Sequence, residues 1–102
     1  MKNNEEKYTL VENVEHKQYE FHIGGQIARI EYIKAQNIVY LTHTEIPAQL
    51  EGKGIGSALV KQVLQDIKEK DLTLVPLCPF VALYIKRHPE WKVLVLKGIN
   101  IV

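Results

Sequence analysis

The sequence has few of the residues that mark secreted, metal-binding or membrane-spanning proteins. Cys78 is the only cysteine among 102 residues, so an internal disulfide and a zinc site built from several cysteines are both excluded. No stretch approaches the ~20 consecutive apolar residues that a membrane-spanning helix needs. The polar start, at 1–7, lacks the apolar segment of a signal peptide. We therefore expect a cytoplasmic protein without a membrane partner.

Neither the histidines nor the charges follow the pattern of a metal or nucleic-acid site. The four histidines are scattered without the spacing of metal ligands, so we predict no metal. The 13 basic and 12 acidic residues are interspersed and give a formal net charge of +1, which argues against a nucleic-acid partner. An apolar share of 46% is typical of a globular chain, and the length predicts a single domain over 1–102.

Hydropathy patterning predicts an α+β fold in which two main helices pack on a mostly antiparallel, mixed sheet. The predicted strands lie at 17–23, 26–33, 38–45, 72–75 and 92–96. Apolar residues three and four positions apart predict a helix of about four turns from Ile55. A second helix is expected to have Pro79 at its first position and to end near His88, because the residue before a proline avoids the helical region.

A glycine-rich turn, at 49–57, separates the third predicted strand from the first helix. Its sequence, QLEGKGIGS, has alternate glycines that let the backbone curl, so that successive amide hydrogens point into one concavity. The positive end of the helix dipole lies in the same place and favours a pyrophosphate. A P-loop is excluded because Lys53 is followed by Gly54, and a dinucleotide fingerprint because the third glycine comes one position early. A glycine-rich helix start without a ligand is the alternative.

The residues of this turn resemble the acetyl-coenzyme A signature of the GNAT superfamily of N-acetyltransferases. The signature is carried by Gln49-x-x-Gly52-x-Gly54, and the segment ALYIK at 82–86 is similar to the second signature of the superfamily. Three further segments are similar to the minimal, single-domain members of the superfamily: 43–47, 76–80 and 87–91. The resemblance covers a core at about 18–92 and implies a GNAT-like, acyl-CoA-binding domain.

The resemblance also implies where the cofactor binds. The pyrophosphate meets the backbone amides of the turn, and the pantetheine arm runs along the strand before it. Carried over to this chain, the cofactor contacts are Ile46, Gln49, Gly52, Lys53, Gly54, Gly56 and Ser57. The implied cosubstrate is acetyl-CoA. The implied acceptor is an amine, with protein and peptide amines among the candidates.

Cys78 is predicted to lie immediately before the second helix, with Pro79 at the first helical position. The helix dipole favours a thiolate there, the form that attacks a thioester, whereas most free cysteines are small buried packing residues. The resemblance to the minimal group implies that Cys78 and His43 form a catalytic pair. By strand alternation, His43 is predicted to share a face with Leu41 and Glu45, and a neutral imidazole accepts a proton near pH 7.

Tyr84 completes the predicted catalytic set, and Glu45 is a fallback base. Tyr84 matches the tyrosine that protonates the departing CoA thiolate in many GNAT enzymes, and simple helix packing is its alternative role. Glu45 is a second candidate base, with a solvated charge as its alternative. Because 24–25 joins two strands directly, without the helices that shape the acceptor site in most of the superfamily, we expect an open acceptor site.

The predicted function is acetyl transfer from acetyl-CoA to an amine, either directly or through a thioester on Cys78. The sequence does not choose between these routes. Two alternatives from other classes are also left open, because a fold alone does not decide function. They are an acyl-CoA-binding module without turnover, and a thiol-dependent thioester hydrolase that needs Cys78 and His43 in contact.

Overall fold

The computed structural model describes residues 7–101, which form a five-stranded sheet with two helices packed on it. The strands are β1 (Val11–Asn13), β2 (Gln18–Ile23), β3 (Gln26–Ala35), β4 (Ile38–Glu45) and β5 (Thr73–Pro76). The helices are α1 (Ile55–Glu69) and α2 (Pro79–Arg87). The strand order is β1-β2-β3-β4-β5, antiparallel except for the parallel pair of β4 and β5. This confirms the predicted fold class.

Alternation along the strands divides the sheet into a buried face and an open face. On β3, Ala28 and Ile30 are fully buried, whereas Ile27 and Ile33 on the other face are exposed. Helix α1 covers the buried face with residues that repeat at helical spacing: Ile55, Leu59, Val60, Val63, Leu64 and Ile67. Burying such side chains contributes ~1.5–3 kcal/mol each. Both helices share one hydrophobic core with the sheet, so the open face carries no helix in the described part of the chain.

A β-bulge in β4 reverses the alternation near the end of that strand. Leu41 and His43 pair with consecutive residues of β3, so Thr42 is the extra residue. One extra residue turns every later side chain to the other face of the sheet. Leu41 is buried, but His43 and Glu45 lie half-exposed on the open face, and Thr44 takes the buried face instead. The prediction that His43 shares a face with Leu41 is therefore wrong.

The chain after α2 also differs from the prediction. The predicted strand at 92–96 is wrong, because Pro89–Leu94 forms a 3-10 helix. Pro89 starts that helix directly after α2, with a backbone angle that is already suited to a helical turn. The chain reaches the sheet at Val95, in a single parallel bridge to Leu74 of β5. Within residues 7–101, none of the helices combines the length and apolarity that crossing a bilayer requires.

Strand β1 was not predicted, and a polar network joins it to the carboxyl-terminal end of α1. The carboxylate of Glu12 accepts hydrogen bonds from the Tyr32 hydroxyl (2.5 Å) and the Lys70 ammonium (2.8 Å). Lys34 donates a third (3.1 Å), and Lys70 also pairs with Asp66 (2.9 Å). Burial alone would raise the pKa of Glu12, but these hydrogen bonds outweigh it and lower the pKa to about 2.

Candidate active site

Strands β4 and β5 separate at the point where the candidate site begins. Their parallel pairing ends with Leu41 opposite Pro76. The next link is a hydrogen bond from the Cys78 amide to the Leu41 carbonyl oxygen (2.9 Å). Beyond it, the end of β4 at 42–45 has β3 as its only neighbouring strand within residues 7–101. The backbone of this segment is therefore open along its other edge.

Two open clefts flank the amino-terminal end of α1. The first, which we call the β4 cleft, has a volume of about 450 Å³ and lies between the end of β4, the glycine turn and α2. The second, the interhelical cleft, has a volume of about 710 Å³ and lies between α1, α2 and the segment before β1. Gly54 and Ser57 line both clefts. The start of α1 thus lies between the two clefts.

The glycine turn leaves the start of α1 without a capping side chain. Gly52 and Gly54 have φ values of 79° and 74°, in the left-handed region that glycine adopts at little cost. Gly54 is the residue that caps α1, and having no side chain it cannot satisfy the first amide hydrogens of the helix. Such amides bind anions, and the helix dipole favours negative charge at the same point. This arrangement fits the pyrophosphate of coenzyme A.

Gly56 is a glycine for a different reason. It lies inside α1, and a Cβ atom added there would come within 2.7 Å of the Phe80 ring and 3.6 Å of the Ile46 side chain. The ring of Phe80, from the first turn of α2, therefore lies directly on the backbone of the first turn of α1. A side chain at position 56 would displace the Phe80 ring, whatever the Gly56 amide binds.

The predicted cofactor contacts are distributed unevenly around the turn. Ile46 and Gly56 line the β4 cleft, and Lys53 lines the interhelical cleft. Gly52 lines the β4 cleft, and Gly54 and Ser57, at the start of α1, line both clefts. The exception is Gln49, whose exposed side chain belongs to the 3-10 helix Ala48–Leu50 and lines neither cleft.

The two clefts have opposite charge. The interhelical cleft is predominantly basic, with charged residues and histidine at Lys7, Lys53, Lys61, His88 and Glu90. The charged residues of the β4 cleft are Glu45 and Glu51. An anionic group is therefore favoured on the interhelical side of the turn, and a cationic group on the β4 side. Within residues 7–101, no three side chains of the metal-ligating types gather into a cation site.

Cys78 caps α2 and is buried in the core. Its backbone is extended and Pro79 occupies the first helical turn, as predicted. The side chain is 4% exposed, and its Sγ atom lies 3.1 Å from the Oγ1 atom of Thr44. Thr44 lines the β4 cleft, whereas Cys78 does not. Thr44 was missed by sequence reasoning, because only the bulge in β4 places its side chain on the buried face.

The other two predicted catalytic residues lie apart from Cys78. His43 is on the open face of the sheet, with its Nε2 atom 3.0 Å from Oε1 of Glu45. Tyr84 lines the interhelical cleft, and its ring stacks on His88 with 4.2 Å between ring centroids. The structure therefore does not bring Cys78 and His43 into contact. The catalytic roles of these residues stay predictions.

Comparison with known proteins gives this geometry its context. The family model for GCN5-related N-acetyl-transferases matches residues 18–94. The proteins called NATD1 in Gallus gallus, Mus musculus and Homo sapiens are each 37% identical over 59 residues, which is 58% of this chain. The match covers 53%, 53% and 51% of those relatives, so the chain spans about half the length of the curated relatives it matches.

A solved structure matches the fold more completely. The solution structure of a GCN5-like protein from Staphylococcus aureus aligns with a TM-score of 0.69 over 91% of both chains. Its sequence is 20% identical, so this likeness concerns the fold alone. The family model covers most of the chain and includes every strand from β2 to β5, both helices and the glycine turn. The chain belongs to the GCN5-related N-acetyltransferase family.

Proposed function

We propose that this chain transfers an acetyl group from acetyl-CoA to an amine, with acetyl-CoA bound across the amino-terminal end of α1. One observation carries the proposal: the uncapped, glycine-lined start of α1 lies beside the gap where β4 leaves β5, with a cleft on either side. The pyrophosphate would bind the amides of 52–57, and Lys53 would add a positive charge.

The pantetheine arm would bind along the end of β4. Pantetheine is extended and has two amide groups, so it can pair with an open strand edge as a further strand would. The residues offered for this are 44–46, which line the β4 cleft next to the glycine turn. The adenosine end, with its phosphate, would point towards the basic interhelical cleft.

In direct transfer, the amine nitrogen attacks the carbonyl carbon of the thioester and forms the new C–N bond. The C–S bond to coenzyme A breaks, the amine loses one proton to a base, and the departing thiolate takes up one proton. His43 is the base that we propose, because it is half-exposed on the open face and its partner Glu45 also lines the β4 cleft. An acceptor approaching from the open face would reach it without crossing the core.

The burial of Cys78 favours direct transfer over the thioester route. In that route, Sγ attacks the carbonyl carbon, coenzyme A leaves as a thiolate, and the amine then displaces the acetyl group from sulfur. The carbonyl carbon would have to reach the sulfur atom of a buried residue that does not line the β4 cleft and that contacts Thr44, which does. The separation of Cys78 and His43 likewise disfavours the thioester hydrolase, which needs the two in contact.

A single assay separates the three functions. Acetyl-CoA is incubated with the protein and a pool of lysine peptides and polyamines, and release of coenzyme A is followed. Release that requires the pool supports acetyl transfer, and release without it indicates a hydrolase. A wild-type rate equal to the uncatalysed background, combined with a rise in melting temperature on adding coenzyme A, would indicate a binding module and overturn the proposal.

A further inference from the structure

Thr44 lies between the β4 cleft and the buried thiol of Cys78. It lines the cleft, while Cys78 contributes nothing to the cleft wall. The two side chains meet at 3.1 Å between Oγ1 and Sγ. A thioester in the β4 cleft would therefore meet Thr44 before Cys78.

The hydrogen-bonding capacity of the two groups fits a chain of two hydrogen bonds, from Cys78 to Thr44 and from Thr44 into the cleft. We call this chain the relay. A threonine hydroxyl has one hydrogen to donate and two lone pairs to accept, whereas a thiol is a weak donor and a weak acceptor. In the described part of the chain, Thr44 is the polar partner of the Cys78 side chain. If the S–H group donates to Oγ1, the hydroxyl hydrogen of Thr44 is left to donate into the cleft.

We propose that Thr44 is a catalytic residue that donates a hydrogen bond to the thioester carbonyl oxygen, and that Cys78 is its positioning residue. This inference rests on the proposed acetyl transfer. Negative charge develops on the carbonyl oxygen as the amine attacks, and a fixed donor aimed at that oxygen lowers the barrier. No bond to the protein forms in this step, and the proton stays on Thr44 throughout.

The relay changes the role that the sequence predicts for Cys78. In the thioester route, Cys78 forms a covalent bond to the acetyl group and Thr44 is a neighbour. In the relay, Thr44 touches the substrate and Cys78 holds its hydroxyl group in one orientation. The two schemes predict different results for substitutions that keep a donor at position 78, because serine can orient Thr44 but does not form the same thioester.

The test compares Thr44→Val with Thr44→Ser and with a matched control, Thr73→Val. Valine has the shape of threonine without its hydroxyl group. Thr73 is also a part-buried threonine in a strand, but it lies at the start of β5 opposite Ile38, away from the bulge and from Cys78. The assay follows coenzyme A release from acetyl-CoA in the presence of lysine peptides and polyamines, and the melting temperature of each variant verifies folding.

We expect Thr44→Val to lower kcat about 100-fold while KM for acetyl-CoA stays within about threefold. The reason is that a hydrogen bond donated to the carbonyl oxygen acts mainly in the transition state. Thr44→Ser should restore kcat to within about fivefold of wild type, and Thr73→Val should stay within about twofold. Cys78→Ser should keep at least about a third of kcat. Cys78→Ala should lose more than Cys78→Ser, because nothing then orients the hydroxyl group.

Two results would overturn the inference alone: a folded Thr44→Val with wild-type kcat, or an acetyl adduct on Cys78 that forms as fast as coenzyme A is released. Intact mass spectrometry of the wild type during turnover detects the second. A wild-type rate equal to the uncatalysed background would overturn acetyl transfer itself and the role of Thr44 with it. The two failures are distinguishable because the first requires an active wild type.

Discussion

The ring of Phe80 lies over the backbone of Gly56, at a distance that leaves no room for a Cβ atom. The contact joins the first turns of α1 and α2 beside the β4 cleft. It also gives Gly56 a structural role that is separate from phosphate binding. The two roles can be distinguished by measuring stability and coenzyme A affinity independently.

We expect Gly56→Ala to destabilise the protein by up to about 1 kcal/mol, although alanine is the better helix former, because the half-exposed Phe80 ring must move aside. The cause is the 2.7 Å approach of the new methyl group to the Phe80 ring. Urea unfolding measures the loss. Ser57→Ala, at the next helical position, is the matched control and should not lower stability. The double variant with Phe80→Ala should be less destabilised than the sum of the single variants. Simple additivity would contradict the contact.

Replacement of Gly54 tests the phosphate site. We expect Gly54→Val to weaken coenzyme A binding at least tenfold, because valine cannot adopt a φ of 74° without strain and the turn must change. Calorimetry measures the affinity. Gly54→Asn is the control, since asparagine tolerates the left-handed region better than most residues. Equal affinity for wild type and both variants would place the pyrophosphate elsewhere.

The opposite charges of the two clefts are tested on either side of the turn. We expect Lys53→Met to weaken coenzyme A binding about two- to fivefold, and less so at high salt, because it removes a positive charge from the interhelical cleft. Glu51→Gln, on the β4 side, should leave the affinity unchanged or raise it slightly. If both substitutions weaken binding equally, the charge argument fails.

His43 is tested against a second histidine in a similar setting. We expect His43→Ala to lower acceptor-dependent coenzyme A release by about 10²–10⁴, the effect of a positioned base, and to leave coenzyme A affinity within a few-fold. His22 is the control, because it is also exposed on the open face and also meets a glutamate, Glu20, at 2.7 Å. His22→Ala should keep the rate. Similar rates in the two variants would exclude His43 as the base.

The network around Glu12 predicts a loss of stability in acid. Its pKa is about 2 in the folded protein against an ordinary value of 4.5, so its contribution is complete above about pH 4.5 and is lost as the pH falls towards 2. The stability difference between wild type and Glu12→Gln should therefore shrink over that range in urea titrations. Tyr32→Phe removes one donor and raises the folded pKa, so the loss should be smaller and should be complete at a higher pH. A difference that does not vary with pH would contradict the lowered pKa.

The strands and the helix that form the core are predictable because their buried residues recur at the regular spacing of a strand or a helix. On β3, buried Ala28 and Ile30 alternate with exposed or half-buried neighbours, and in α1 the apolar residues repeat at helical spacing. The glycine turn is predictable because Gly52 and Gly54 occupy backbone conformations that other residues avoid. In each case, the local pattern and the tertiary environment favour the same structure.

The bulge in β4 is not predictable in this way. Its surroundings, Thr42, His43, Thr44 and Glu45, are all polar, so a change of face produces no visible break in the alternation. The relation between Thr44 and Cys78 depends on that bulge and on the course of the chain between β4 and α2. A contact between residues 34 positions apart is a property of the fold, and the local sequence does not display it.

Helix α1 has the proposed cofactor site at one end and the acid-sensitive network of Glu12 at the other. Its fifteen residues span about 22 Å, from the glycine turn to the network of Asp66, Lys70 and Glu12. This is more than twice the screening length of ~8 Å in physiological salt. The charge of a bound cofactor should therefore leave the titration of Glu12 almost unchanged. The increase in the free energy of unfolding caused by the ligand and the decrease caused by acid should then be additive.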